Sequence, residues 1–239
     1  VPPDVKVESI PRDEFLHEVW VHNPGEHVSF LGPTNSGKTH LAYQLLDVTA
    51  TEEHPAIVLV MKPRDETVTK FSKRTKFRIV RSWPPVPSVW NPGKKRGYVL
   101  WPAHSFDPDA DDERHERIFR HVIRDSYKKG SRTLFADETY SLTNELHLER
   151  DLIRVWSKGR SMGTDLWAAT QKPTHVPLWM YNQAEHIFLA YDPDVRAQKR
   201  FSEIGGVDPD LVKSVVARLP KFHWLYIRRT DRTMCIVQP

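Results

Sequence analysis

The chain carries a single cysteine, Cys235, among its 239 residues. An intramolecular disulfide framework is therefore excluded, and a reducing, cytoplasmic setting is expected. No stretch reaches the ~18–20 uncharged apolar residues that a spanning helix needs, so no membrane span is expected. The opening VPPDVKVESIPRDEF lacks the apolar run of a secretory signal. Charge of one sign is also scarce: the formal net charge is +4. That is mildly basic, compatible with a nucleic-acid partner without arguing for one. Neither repeats nor low-complexity tracts occur. The twelve histidines show no H-E-x-x-H or zinc-type spacing. DPDADDERHERIF resembles a calcium loop only superficially: Asp112 stands where the turn glycine belongs and Ile118 where the closing Glu belongs.

Prolines, by contrast, are plentiful and punctuate the chain. Pro2, Pro3, Pro11 and Pro24 predict an irregular lead-in over 1–26 with no helix. A single domain is expected over 27–239. HVSFLG (27–32), AIVLVM (56–61), TLFAD (133–137), DLWAATQ (165–171) and HIFLAY (186–191) are short, nearly uniform apolar runs, as in fully buried parallel strands. KFRIVRSW and YVLWPA read as further strands. Helical spacing follows the first strand, where Leu41, Leu45 and Leu46 share a face, and recurs over roughly 110–129 behind Asp107 and Asp109 as caps. ELHLERDLIRVWSKGRSMG reads as a helix ending at Gly159 or Gly163. Two short helices follow the last core strand, and 221–239 reads as a β-hairpin. Strands alternating with helices predict an α/β fold with a mainly parallel central sheet flanked by helices.

Gly32-Pro33-Thr34-Asn35-Ser36-Gly37-Lys38-Thr39 fits G-x-x-x-x-G-K-[ST] between a strand and a helix. A chance match in a chain of this length has a probability of about 1%. Such a loop turns its backbone N–H groups inward onto phosphates, and the helix that begins near Lys38 and His40 aims its positive end at the same oxygens. Lys38 reaches the β- and γ-phosphates, and the Thr39 hydroxyl completes a Mg²⁺ shell. The TLFA strand runs into Asp137 and Glu138. Asp137 is placed to hold the metal and Glu138 to orient and deprotonate an attacking water. No N-K-x-D occurs, and Glu-Thr-Tyr follows Asp137. ATP hydrolysis is therefore expected rather than GTP switching.

Gln171 ends a strand expected to flank the loop, where an amide can sense the γ-phosphate. Arg160 lies in K-G-R-S-M-G and is either a surface residue or a finger for a neighbouring subunit's site, with Arg154 and Arg150 in reserve. Lys62, Arg64, Lys70, Lys73, Arg74, Lys76, Arg78 and Arg81, followed by Lys94, Lys95 and Arg96, form a basic segment that is either a solvated surface or a contact to DNA phosphates. Trp83, Trp90 and Trp101 can stack on bases, but core packing is the commoner fate of such rings.

GPTNSGKT, AIVLVM, LFADE, GRSMGTDLWAATQKP and HIFLAY stand in this order, and together they resemble the FtsK/HerA superfamily of P-loop ATPases over roughly 27–191. Arg160, Gly163 and the Thr170-Gln171-Lys172-Pro173 turn carry the most telling part. The resemblance implies a RecA-like sheet, a homo-oligomeric ring (commonly a hexamer), and ATP-driven movement of double-stranded DNA. It gives Lys38 and Thr39 the triphosphate and metal, Asp137 the metal, Glu138 the water and Gln171 the γ-phosphate, with Arg160 as a finger acting in trans. With the loop at residue 32 and the hairpin at 221–239, no membrane anchor or large N-terminal barrel and no DNA-reading winged helix are expected. This pared-down core resembles the viral genome-packaging branch, which implies a capsid portal or vertex protein as a docking partner and a location in the host cytoplasm or on the virion. Two other functions remain open: a filamentous-phage assembly or secretion ATPase that moves protein, and an ATP-dependent scaffold that does not hydrolyse.

Overall fold

The structure, a computed structural model, describes residues 7–87, 93, 95–201, 203–204 and 207–239. In chain order its elements are β1 (Glu8–Ile10), α1 (Arg12–Glu14), β2 (Val28–Leu31), α2 (Lys38–Thr49), β3 (Ala56–Leu59), α3 (Glu66–Thr75), β4 (Arg78–Val80) and β5 (Gly97–Leu100). There follow α4 (Pro108–Lys129), β6 (Arg132–Ala136), α5 (Glu149–Lys158), β7 (Thr164–Thr170), α6 (Trp179–Asn182) and β8 (His186–Leu189). The chain closes with α7 (Val195–Phe201), α8 (Pro209–Val216), β9 (Trp224–Arg228) and β10 (Thr233–Val237).

The ten strands form one sheet in the order β1-β10-β9-β8-β2-β7-β6-β3-β5-β4. Every pairing is parallel except those of β9 with β8 and β10. Apart from half-buried Arg132 at the start of β6, the central strands are buried along their whole length, which is why they read as apolar runs. Alternation along each strand sorts the side chains into two cores. Phe30, Phe135, Trp167, Phe188 and Tyr226 face α2, α3 and residues 15–20. Leu31, Leu134, Leu166, Leu189 and Leu225 face α4, α5 and the later helices. Trp101 belongs to the first core and donates its indole N–H to the Lys62 carbonyl at 2.7 Å. Trp83 packs edge-on against Tyr98 and donates to Asp125 at 2.9 Å. Both rings are spent on packing, and Trp90 lies outside the described residues.

The lead-in is not irregular over residues 8–20. Glu8–Ile10 add an edge strand beside β10, with Glu8 opposite Cys235 and Ile10 opposite Val237. Pro11 stands just ahead of a helical turn that continues as a π-turn over Phe15–Val19. A proline there starts a helix instead of breaking it, because the first N–H groups of a helix have no intrahelical partner to lose. Phe15 is fully buried and Trp20 nearly so. The helix read through 145–163 is also divided: a π-turn spans Ser141–Glu145, His147 takes a positive φ of 52°, and regular helix begins at Glu149.

This topology positions the site. β2 lies between β7 and β8, and β6 lies beyond β7. Because these four strands run in the same direction, the segments after Leu31, Ala136, Thr170 and Leu189 all emerge at one edge of the sheet. Open α/β sheets bind ligands at that carboxyl edge.

Candidate functional site

The loop after β2 is shaped by two glycines with different tasks. Gly37 holds φ +89°, a left-handed conformation that a side chain resists. At Gly32 a Cβ would sit 2.7 Å from the Ala190 Cβ, so only a glycine lets β2 turn this close to the end of β8. Asn35 also takes a positive φ, 62°. α2 begins at Lys38, directly behind Gly37, so its unpaired N–H groups point into the loop.

Lys38 is buried, and its ammonium donates to the carbonyls of Gly32 at 2.7 Å and Pro33 at 2.8 Å. Burial pulls its pKa down to about 8, against the raising influence of Glu138 and Asp137. The Thr39 hydroxyl donates to Asp137 Oδ1 at 2.8 Å, joining the loop to the end of β6. Burial pushes the Asp137 carboxyl above its usual range despite that bond. Burial also raises Glu138, opposed by Lys38 and by the backbone amides of Tyr140 and Gln171. One Glu138 oxygen, Oε1, is buried with no partner in the protein. The Thr34 hydroxyl donates to the Gln171 side-chain oxygen, tying the loop to the tip of β7.

These residues line one cleft of about 300 Å³, in which Lys38, Thr39, Asp137, Glu138 and Gln171 meet. The opposed carboxylate and ammonium thus share one face of the sheet edge. Arg160 is not among them. It lies on the 3-10 turn Gly159–Met162 that enters β7, at the opposite edge from the loop, with its backbone against Gly25. It is exposed there. Arg154 pairs with the buried Asp151 at 3.2 Å.

A hydroxyl and a carboxylate are the hard oxygen donors that Mg²⁺ takes, with water and phosphate completing its shell. Thr39 and Asp137 fit that ion. Among the described residues no group of three or more His, Cys, Asp or Glu side chains is gathered to cage a metal.

Two cleft residues escape a reading by motif. Lys62 and Thr67 also line it, and Lys62 pairs with Asp65 at 3.6 Å. Lys62 follows β3, a strand that ends at the same edge, so its strand position was the available signal. The basic segment is largely occupied within the chain. Besides Lys62, Lys70 pairs with Glu66 and Arg74 with Asp47. Arg78 and Arg81 donate to the carbonyls of Val86 and Trp101. Arg96 pairs with Asp47, while Arg64, Lys73 and Lys76 are exposed. Lys94 lies outside the described residues.

No protein-family profile and no curated protein matches the chain. Solved structures do. The genome packaging NTPase B204 of Sulfolobus turreted icosahedral virus 2, in complex with AMPPCP, superposes with a TM-score of 0.61 at 20% identity. That match covers 91% of this chain and 100% of that one. VirB4 of Thermoanaerobacter pseudethanolicus gives 0.63 at 9% identity over 89% of both chains. The pCW3 conjugation coupling protein TcpA, with ATPgS, gives 0.51 at 16% identity, over 90% of this chain and 60% of that one. At these identities the likeness is one of fold. The chain has the fold of these proteins, as the resemblance of its motifs implied. Among the described residues no helix is long and apolar enough to cross a membrane.

Proposed function

We propose that this protein is a Mg²⁺-dependent ATPase that works as a homo-oligomeric ring and drives double-stranded DNA into a viral capsid. The observation that carries the ATPase reading is the meeting of Lys38, the Thr39–Asp137 pair and the unpartnered Glu138 oxygen in one cleft.

In this reading the loop amides and the first turn of α2 bind the triphosphate. Lys38 exchanges its two loop carbonyls for phosphate oxygens, which restores a full charge partner to a buried ammonium. Thr39 and Asp137 would hold a Mg²⁺, which when bound would supply charge neutralisation to the triphosphate. Glu138, raised by burial, is the group that accepts a proton from water at its free Oε1. Gln171, already tied to Thr34, links the γ-phosphate position to β7 and the segment behind it. Arg160 acts on the site of a neighbouring subunit, since its own sheet edge faces away from the cleft.

The DNA-packaging step is supported by the resemblance of the ordered motifs and by the shared fold with a packaging NTPase. The test is ATP turnover with and without duplex DNA over a range of salt. Stimulation that falls steeply as salt rises supports a motor on DNA. Salt-insensitive turnover that DNA does not alter points to a protein-moving ATPase, and nucleotide binding without turnover points to a scaffold.

A further inference from the structure

The Arg160 side chain is exposed, and among the described residues no carboxylate pairs with its guanidinium. Its backbone is the opposite case. The 3-10 turn Gly159–Met162 is gripped from three sides. On the first, Gly25 presses against it: a Cβ there, at φ +89°, would lie 2.9 Å from both the Arg160 Cα and the Arg160 carbonyl oxygen. On the second, Gly130 at the end of α4 lets the Met162 carbonyl oxygen come within 2.5 Å of where a Cβ would be, and the Ser131 N–H donates to that carbonyl at 2.9 Å. On the third, the Gly163 N–H closes the turn onto the Arg160 carbonyl at 3.0 Å, and the chain passes straight into the fully buried β7.

The wedge that carries Gly25 is built from buried polar groups. Asp165, the second residue of β7, is wholly buried, and its Oδ1 accepts the Gly25 N–H at 3.2 Å and a bond from His54 Nε2 at 2.9 Å. Glu26 is buried beside it. Its carboxylate accepts the Asn23 N–H at 2.8 Å, the Asn23 side-chain amide at 3.0 Å and His186 Nε2 at 3.1 Å. Buried carboxylates are costly unless they are hydrogen-bonded, and a satisfied network of them fixes the backbone around it to one geometry. The result is a rigid base under an unpaired, permanently charged head. Electrostatic catalysis asks for that arrangement, because the donor is aimed before charge develops and needs no reorganisation when it does.

We infer that Gly25, anchored by Asp165, is a positioning residue for Arg160: it holds the turn so that the guanidinium reaches the transferring phosphoryl group in a neighbouring subunit. The inference rests on the ring reading, in which Arg160 acts on that neighbour. Ordinary contacts of a Cβ begin near 3.4 Å, so a side chain at residue 25 drives the turn outward by about half an ångström or more. A misplacement of about 1 Å in a catalytic group costs on the order of 10²-fold in rate.

The experiment compares ATP turnover and AMPPCP affinity in Arg160→Ala, Gly25→Ala and wild type. Arg160→Ala is expected to lower kcat at least about a hundredfold. Gly25→Ala is expected to lower it at least about tenfold with AMPPCP affinity within about threefold, because its own cleft is intact. A second readout separates positioning from damage. Differently tagged Gly25→Ala and Lys38→Ala subunits are co-expressed, and complexes carrying both tags are purified. The Lys38→Ala subunits have a sound turn beside a defective loop, so they lend Arg160 to the sound clefts of their Gly25→Ala neighbours. Turnover at least about threefold above the mean of the two parent proteins is expected. A substitution that merely weakens its own subunit gains nothing from such neighbours, so no gain overturns the inference. Wild-type turnover in Gly25→Ala beside an impaired Arg160→Ala overturns the positioning role alone. Wild-type turnover in Arg160→Ala overturns the reading of Arg160 on which it rests. If Gly25→Ala does not fold, hydrogen exchange on the wild-type protein carries the test: the Ser131 and Gly163 amides are expected to exchange as slowly as those of β7, and exchange at the rate of an open loop overturns the rigid base.

Discussion

Replacing Glu138 by Gln separates chemistry from binding. The two side chains have the same length and shape, so the cleft keeps its form. What changes is that a carboxylate with one buried, unpartnered oxygen becomes an amide that cannot accept a proton from water. A positioned general base contributes typically 10²–10⁴-fold, which is about 3–5 kcal/mol of barrier. Glu138 is also held above its usual pKa by burial, so its charge is a load on the folded state that the amide removes. Glu138→Gln should therefore lower single-turnover phosphate release by at least about a hundredfold. It should melt no lower than wild type. AMPPCP affinity should stay within about threefold, because the proposed function gives the phosphate contacts to Lys38 and the loop amides. Rapid-quench assays with radiolabelled ATP, paired with calorimetry, measure both quantities. Wild-type hydrolysis in the variant would show that Glu138 is not the base. A large fall in affinity or in melting temperature would show that the residue is structural.

Two further predictions concern groups outside the cleft. His27 is buried and stacked on Trp156 with centroids 4.5 Å apart, and its Nδ1 accepts the Leu166 N–H at 3.0 Å. Burial lowers its pKa to about 4, below the unfolded value, so the unfolded chain binds more protons and stability falls as pH drops from 6.5 toward 4. Urea unfolding at pH 7 and 4.5 should show a loss smaller by about 2–3 kcal/mol in His27→Gln than in wild type, and equal losses would refute the assignment. Cys235 is 2% exposed, and burial pushes its thiol up to about 12. A thiol reagent at pH 8 should leave it unmodified in the native protein and label it fully in denaturant, whereas rapid native labelling would show that β10 opens.

Much of the fold was legible because the central strands are buried on both faces and announce themselves as apolar runs. The phosphate loop was legible because few residue combinations can curl a backbone around phosphate, and LFADE because a carboxylate pair at the end of an apolar strand is chemically conspicuous. What escaped was structure made by tertiary contact. ESI has no strand signal of its own and becomes an edge strand only because β10 offers a free side. Pro11, a helix breaker by residue type, starts a turn because it stands just ahead of the first helical residue. Lys62 was counted with the basic segment because nothing local says that β3 ends beside β6. The bond from Arg12 to the Phe222 carbonyl joins residues 210 positions apart, which no motif can show.

The most direct test of the central claim is phosphate release from ATP by the purified protein with Mg²⁺, set beside Lys38→Ala under the same conditions. If the cleft hydrolyses ATP, the wild-type protein turns over and the variant loses at least about a hundredfold, as removal of a buried phosphate-binding charge demands. Equal release by the two proteins would contradict it.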